Sequence, residues 1–143
     1  MGSSIAIEIV TPERLVKQTQ ADSIVVPAVD GELGILPNHA PLLAQLQPGA
    51  IRLSHQGEVE LFAVSGGFIE VDKNKVSIFA ETAEIAHEID EERAHQAAER
   101  AKVQIQAATS DGDLAIAEAN LRRAMVRLHI VEGLRRSTKA RYK

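Results

Sequence analysis

The chain has 143 residues, 45% hydrophobic and 25% charged, with a formal net charge of −4. That is the size and make-up of one ordinary globular domain, or a small domain with an appendage, and it excludes disordered, collagenous and low-complexity classes. Cysteine is absent, which removes disulfide frameworks, thiolate zinc sites and cysteine nucleophiles together.

The longest uncharged stretch, Leu33 to Ile51, contains Pro37, Pro41 and Pro48 and is no transmembrane span. The N-terminus lacks the basic, apolar and small-residue succession of a secretion signal, so a cytosolic type of chain is expected. Charge is segregated: residues 1–119 carry a net −11, and residues 120–143 a net +7. A basic end on an acidic body suits an anionic ligand, an acidic protein surface or water.

From Ile5 the pattern is short and β-like. Ile5-Ala6-Ile7-Glu8-Ile9 alternates with period two until Thr11-Pro12-Glu13 breaks it. Further runs are Ser23–Pro27, Ala50–Leu53, Glu58–Val64, Phe68–Val71 and Lys75–Ala80. The punctuators between runs are Asp30-Gly31, Pro37-Asn38, Pro48-Gly49, Gln56-Gly57, Gly66-Gly67 and Lys73-Asn74. Seven or more short strands at this spacing predict an all-β sandwich or barrel.

From about Glu88 the period becomes helical. Asp90 reads as a cap, with Glu91 and Glu92 suited to the positive end of a helix dipole. Ala94, Ala97, Ala98, Ala101, Ile105 and Ala108 form one apolar stripe. Thr109–Asp113 reads as a turn, after which Leu114, Ala117, Leu121, Ala124, Leu128 and Val131 keep a 3-4-3-4-3 spacing. So short a connection predicts an antiparallel helical hairpin. The fold class expected is α+β: an all-β sandwich over 1–87 and a two-helix hairpin with a basic tail over 88–143. An alanine-rich seam buries little area, which fits a detachable hairpin; a short stable appendage is the alternative.

In such a hairpin Arg93 lies opposite Leu128 and Arg100 opposite Leu121, while Arg123 and Arg127 share one face of the second helix. The four guanidiniums converge. Either Glu91, Glu92 and Glu99 neutralise them on a solvated surface, or they hold a small polyanion such as a nucleoside triphosphate. No glycine-rich phosphate loop accompanies them, so such a site would be regulatory. His39, His55, His87, His95 and His129 show no metal-ligand spacing, and Ser65-Gly66-Gly67 is no nucleophile elbow. The reading expects no catalytic residues, no metal and no required cofactor.

Three strings carry a family resemblance. They are Asp30-Gly31-Glu32-Leu33-Gly34-Ile35-Leu36-Pro37-Asn38-His39-Ala40-Pro41-Leu42, then Ala63–Val71, then Ile89-Asp90-Glu91-Glu92-Arg93-Ala94. With them the chain resembles, over essentially its whole length, the epsilon subunits of F-type ATP synthases. The resemblance implies a ten-stranded sandwich and a helical hairpin in a non-catalytic central-stalk subunit. The sandwich would dock on the gamma subunit and the c-ring, with Asp30, Glu32 and Leu33 towards the ring and Pro37, His39 and Pro41 towards gamma. The hairpin would extend and inhibit ATP hydrolysis, its Arg122, Arg123, Arg127, Arg135 and Arg136 approaching the alpha and beta subunits.

Some family members bind ATP as a regulatory ligand in the folded hairpin. Their motif is matched by Ile89, Asp90, Arg93 and Ala94, with Glu84, Arg100, Arg123 and Arg127 at further positions. Ile116 departs from a basic residue often found there, a change worth about 1.5–3 kcal/mol if one charge-assisted contact is lost. Membrane association would come only through the complex. The location implied is the cytoplasmic face of a bacterial inner membrane, with the stromal face of a plastid thylakoid as the alternative. Other function classes are a β-sandwich adaptor, or a nucleic-acid binder using the basic final helix. The acidic body and scarce aromatics speak against nucleic acid.

Overall fold

The computed structural model describes residues 3–141, with side chains as far as Glu132. Ten strands come first: β1 (Ile5–Val10), β2 (Leu15–Ala21), β3 (Ser23–Ala28), β4 (Gly31–Ile35), β5 (Leu42–Leu46), β6 (Gly49–His55), β7 (Glu58–Val64), β8 (Gly67–Asp72), β9 (Lys75–Ala80) and β10 (Ala83–Ile85). A 3-10 turn, Ala86–Glu88, leads to α1 (Glu91–Ala107) and α2 (Asp111–Arg141). The chain forms two compact units, one ending at Ile85 and the other beginning at Ala86.

In the first unit the strands hydrogen-bond in the order β10-β7-β6-β3-β5-β8-β9-β1-β2, with β4 on β3. β3 changes layers along its length: Ser23–Val25 pair with β6, whereas Ala28 pairs with Leu46 of β5. The path bends there, and its far parts return towards each other, Lys17 of β2 meeting Glu60 of β7 at 3.2 Å. The result is a β-sandwich. Its pairings are antiparallel except for β1 with β9, where Ile7 faces Val76 and Ile9 faces Ile78.

Period-two alternation explains the core. On β1, Ile5, Ile7 and Ile9 are buried while Ala6, Glu8 and Val10 are half-buried. These isoleucines join Ile24, Ile51, Phe62, Ile69 and Ile78 in one cluster, with Leu33, Leu42 and Ile85 packed against it. Gln56-Gly57 and Lys73-Asn74 close two hairpins with positive φ at both central residues (50° and 82°, 49° and 59°), as type I′ turns require.

The sequence expectation of seven or more strands is met by ten, and the additional ones have physical reasons for being faint. β2 carries Lys17, Gln18 and Gln20, β4 contains two glycines, β5 is five residues long directly after Pro41, and β10 is three residues long.

In the second unit, Asp90 Oδ1 accepts the Arg93 N–H at 3.1 Å and caps α1. The second cap is Ser110, whose Oγ accepts the Asp113 N–H at 3.1 Å. α2 therefore begins at Asp111, and Asp111–Asp113, expected in the turn, form its first turn. α2 then runs on to Arg141, so the segment expected as a basic tail from Arg135 continues the helix. Ala94, Ala98 and Ala101 of α1 and Ala117 and Ala124 of α2 are buried, while Leu114, Leu121 and Leu128 are half-buried. Ile130, off the expected stripe, is buried as well.

Gly67 makes the tightest backbone passage. It has φ 131°, and an added Cβ would stand 2.0 Å from the Phe79 carbonyl oxygen across the β8–β9 ladder. Gly67→Ala is expected to destabilise the sandwich by at least about 2 kcal/mol, read as a lower denaturant midpoint. An unchanged midpoint would show that the ladder relaxes freely at this position.

Candidate docking surface and hairpin cluster

The residues expected to make contacts from the sandwich fall on β4 and the loop that follows. Asp30 is exposed in the Val29-Asp30 turn between β3 and β4. Glu32 lies opposite Pro27, and its carboxylate accepts from Arg52 Nη2 at 3.2 Å, an exposed ion pair. Leu33 is half-buried and packs on the core cluster, so only part of it is available to a partner. Beyond β4, Leu36–His39 form a turn closed by the His39 N–H donating to the Leu36 carbonyl at 3.2 Å. Asn38 has φ 64°, which with Pro37 before it matches a type II turn. Pro37 and His39 are half-buried, Pro41 is exposed, and His39 Nδ1 lies 2.7 Å from the Ala40 carbonyl.

Sequence reasoning missed an apolar face on the outer side of β5, β8 and β9. Phe68 of β8 lies opposite Gln45 of β5 and Phe79 of β9, and Leu43 of β5 lies opposite Glu70 of β8. Because side chains alternate along strands, these residues point away from the core that holds Ile69, Val71 and Ile78. Leu43, Phe68 and Phe79 are 72%, 51% and 50% exposed, and Leu36 in the adjoining loop 64%. Two phenylalanines paired across a ladder on an outer face form a patch of the kind that marks an interaction site. The only available signal was that Phe68 and Phe79 share a parity with the polar positions of their strands.

The hairpin residues divide by element. Glu84 lies in β10 of the first unit, opposite Ala63. Ile89, Asp90, Arg93, Ala94 and Arg100 lie in or just before α1, and Arg122, Arg123 and Arg127 in α2. Asp90 is engaged as the α1 cap, and Ala94 is buried. Arg123 is half-buried and donates through Nη2 to Asn120 Oδ1. Glu99 pairs with Lys102 at 3.3 Å, and Glu91 lies 3.8 Å from His95. Arg93 and Arg100 are exposed and form no ion pair among the described residues. Seven residues apart, they stand about 10 Å from each other along one edge of α1. The side chains of Arg135 and Arg136 lie outside those described.

No group of three or more His, Cys, Asp or Glu residues that could hold a metal occurs among the described residues. No helix among them is long and apolar enough to cross a membrane.

Fold and site define a two-module protein, a β-sandwich with an exposed apolar face followed by a helical hairpin carrying surface arginines. Residues 4–86 match the family described as ATP synthase, Delta/Epsilon chain, beta-sandwich domain, and residues 87–132 its long alpha-helix domain. The chain belongs to the ATP synthase delta/epsilon chain family.

It is 44% identical over 133 residues to the ATP synthase epsilon chain of Symbiobacterium thermophilum, covering 92% of this chain and 96% of that one. Against the epsilon chain of Herpetosiphon aurantiacus it is 49% identical over 133 residues, covering 93% and 97%. Among solved structures, a chain of the Euglena gracilis mitochondrial ATP synthase OSCP/F1/c-ring assembly superposes with a TM-score of 0.75. That match has 25% identity over 86% of this chain and 78% of that one. A chain of the Tetrahymena thermophila central stalk/c-ring assembly shares the fold, at TM-score 0.61 and 19% identity, over 92% and 97%.

The Asp90 cap has a measurable consequence. Asp90→Ala should cost about 1 kcal/mol of α1 stability, seen as roughly fivefold faster amide exchange in its first turns with the sandwich amides unchanged. Unaltered exchange would mean that packing alone fixes the start of α1.

Proposed function

We propose that the chain is a non-catalytic central-stalk subunit of a rotary, proton-translocating ATP synthase. The sandwich docks on the gamma subunit and the c-ring, and the hairpin restrains ATP hydrolysis by reaching the alpha and beta subunits. The observation that carries this reading is the exposed apolar face of Leu43, Phe68 and Phe79 on β5, β8 and β9. Apolar area of this kind gains most by being covered, and a stalk subunit must hold its partner through every rotation. The acidic Asp30 turn and the Glu32–Arg52 pair at the other end of β4 suit a polar, charge-guided contact with the c-ring loops. Both named relatives are bacterial, which supports a peripheral position at the cytoplasmic face of the inner membrane, reached through the complex.

A rotary complex carrying the full chain is expected to hydrolyse ATP more slowly than one carrying a chain ended at Glu88, with gamma still bound to both. The sandwich has its own core and keeps β10 in the shortened chain, so the comparison isolates the hairpin. Equal hydrolysis rates would remove the inhibitory role and leave a coupling subunit only.

ATP is proposed as the regulatory ligand of the hairpin arginines. Arg93 and Arg100, exposed and without a carboxylate partner among the described residues, support this, and the departure at Ile116 argues for modest affinity. Calorimetry on the full chain should detect ATP binding, and Arg100→Ala should weaken it by about tenfold or more. Absence of heat at millimolar ATP overturns the ATP-sensing part alone.

A further inference from the structure

Asn74 does more than turn the chain between β8 and β9. Its Oδ1 accepts the Asn38 N–H at 2.7 Å, and its Nδ2 donates to the Ser4 carbonyl at 2.9 Å. Its own backbone carbonyl accepts the Ala6 N–H at 3.2 Å. One half-buried residue thus ties together the start of β1, the β8–β9 turn and the Leu36–Pro41 loop. The two side-chain bonds use opposite ends of the amide: one needs an acceptor, the other a donor. Among side chains of this length only asparagine offers both.

The bond to Asn38 matters because of how that loop is built. In a turn closed by His39 N–H to the Leu36 carbonyl, the Asn38 N–H has no partner inside the turn. Asn74 supplies the missing acceptor. Without it, no hydrogen bond among the described residues ties the turn to the sandwich beyond its two chain ends, β4 and β5. With it, the turn is also anchored to the Lys73-Asn74 end of the β8–β9 hairpin, next to the Leu42–Val71 pair where β5 begins. The loop then holds a fixed position on the same sheet that carries Leu43, Phe68 and Phe79.

We propose that Asn74 is the positioning residue that locks the Leu36–Pro41 loop to the outer face of β5, β8 and β9, presenting both as one rigid surface for the gamma subunit. The inference rests on the docking reading given above. Rigidity fixed before encounter lowers the ordering cost of binding, so loss of the lock should appear as lost affinity more than lost stability.

Two variants of the full chain separate the possibilities. Asn74→Gly removes the side chain yet accommodates the positive φ of 59°, so the hairpin turn keeps its geometry. Asn74→Asp keeps an acceptor for the Asn38 N–H and tolerates the same φ, while setting a carboxylate oxygen against the Ser4 carbonyl where the donor stood. Amide exchange at Asn38 and affinity for purified gamma subunit are measured for both, alongside thermal unfolding.

Asn74→Gly is expected to speed Asn38 exchange and to weaken gamma binding, each by about tenfold, with little change in the unfolding midpoint. Asn74→Asp should keep the Asn38 amide protected and bind gamma within about threefold of the parent chain. Release of the Asn38 amide with unchanged affinity overturns the positioning role, as does equal weakening by both variants. If the parent chain does not bind gamma, the docking reading itself falls, an outcome distinct from either of these.

Discussion

The parallel pairing of β1 with β9 is the constraint on which the rest of the sandwich depends. The other neighbours in the sheet run antiparallel and half of those pairings are joined by short turns, whereas this pair joins residues about seventy positions apart. Direction matters as much as proximity. Because the two strands run the same way, the start of β1 lies beside the start of β9, and so beside the Lys73-Asn74 turn. That is why Ala6 and Ser4 meet Asn74, and why a turn residue can link the first strand to a loop at Asn38. Reversed, β1 would have brought its other end to the turn, and Ser4 would not meet Asn74 Nδ2. The same pairing sets Ile7 beside Val76 and Ile9 beside Ile78, placing the most regular run in the sequence at the centre of the core.

The two units are held by different means. The sandwich buries isoleucine, valine and phenylalanine, whereas among the described residues the buried positions of the hairpin are alanines, with Ile130 the large exception. At about 0.8 kcal/mol per buried CH₂, each isoleucine exceeds an alanine by roughly 2 kcal/mol of burial. Alanine seams let helices approach closely but gain little from doing so, which puts the hairpin at the low-stability end of the molecule.

Legibility in the sequence followed the strength of the local signal. β1 was plain because it alternates cleanly, and the β6–β7 and β8–β9 hairpins because Gln56-Gly57 and Lys73-Asn74 punctuate them. β4 and β5 flank a proline-rich loop whose turn residues mask short strands, and β10 exists only because β7 is there to pair with it. The Asp90 cap was readable from one carboxylate before an acidic turn; the Ser110 cap was displaced by the competing turn residues Asp111-Gly112-Asp113. Asn74 looked like an ordinary turn residue, since its partners stand 36 and 70 positions away and no local pattern announces them. The apolar outer face was hidden similarly: Phe68 and Phe79 declare themselves exposed only once register sets them on the side opposite Ile69 and Ile78.

The charge gradient along α2 needs no partner to explain it. Asp111 and Asp113 stand in its first turn, and the chain turns basic towards the far end of the helix. Acid at the N-terminus and base at the C-terminus is the arrangement that complements a helix dipole. The hydrophobic seam, by contrast, ends at Val131: the next positions in its spacing are Arg135 and Thr138, and Gly133 sits between, at a cost of about 1 kcal/mol relative to alanine. Beyond that point the sequence does not continue the apolar spacing, while Arg135, Arg136, Lys139 and Arg141 supply the charge that a helix C-terminus favours. The end of the seam therefore marks where the sequence stops supplying a face for helix–helix packing.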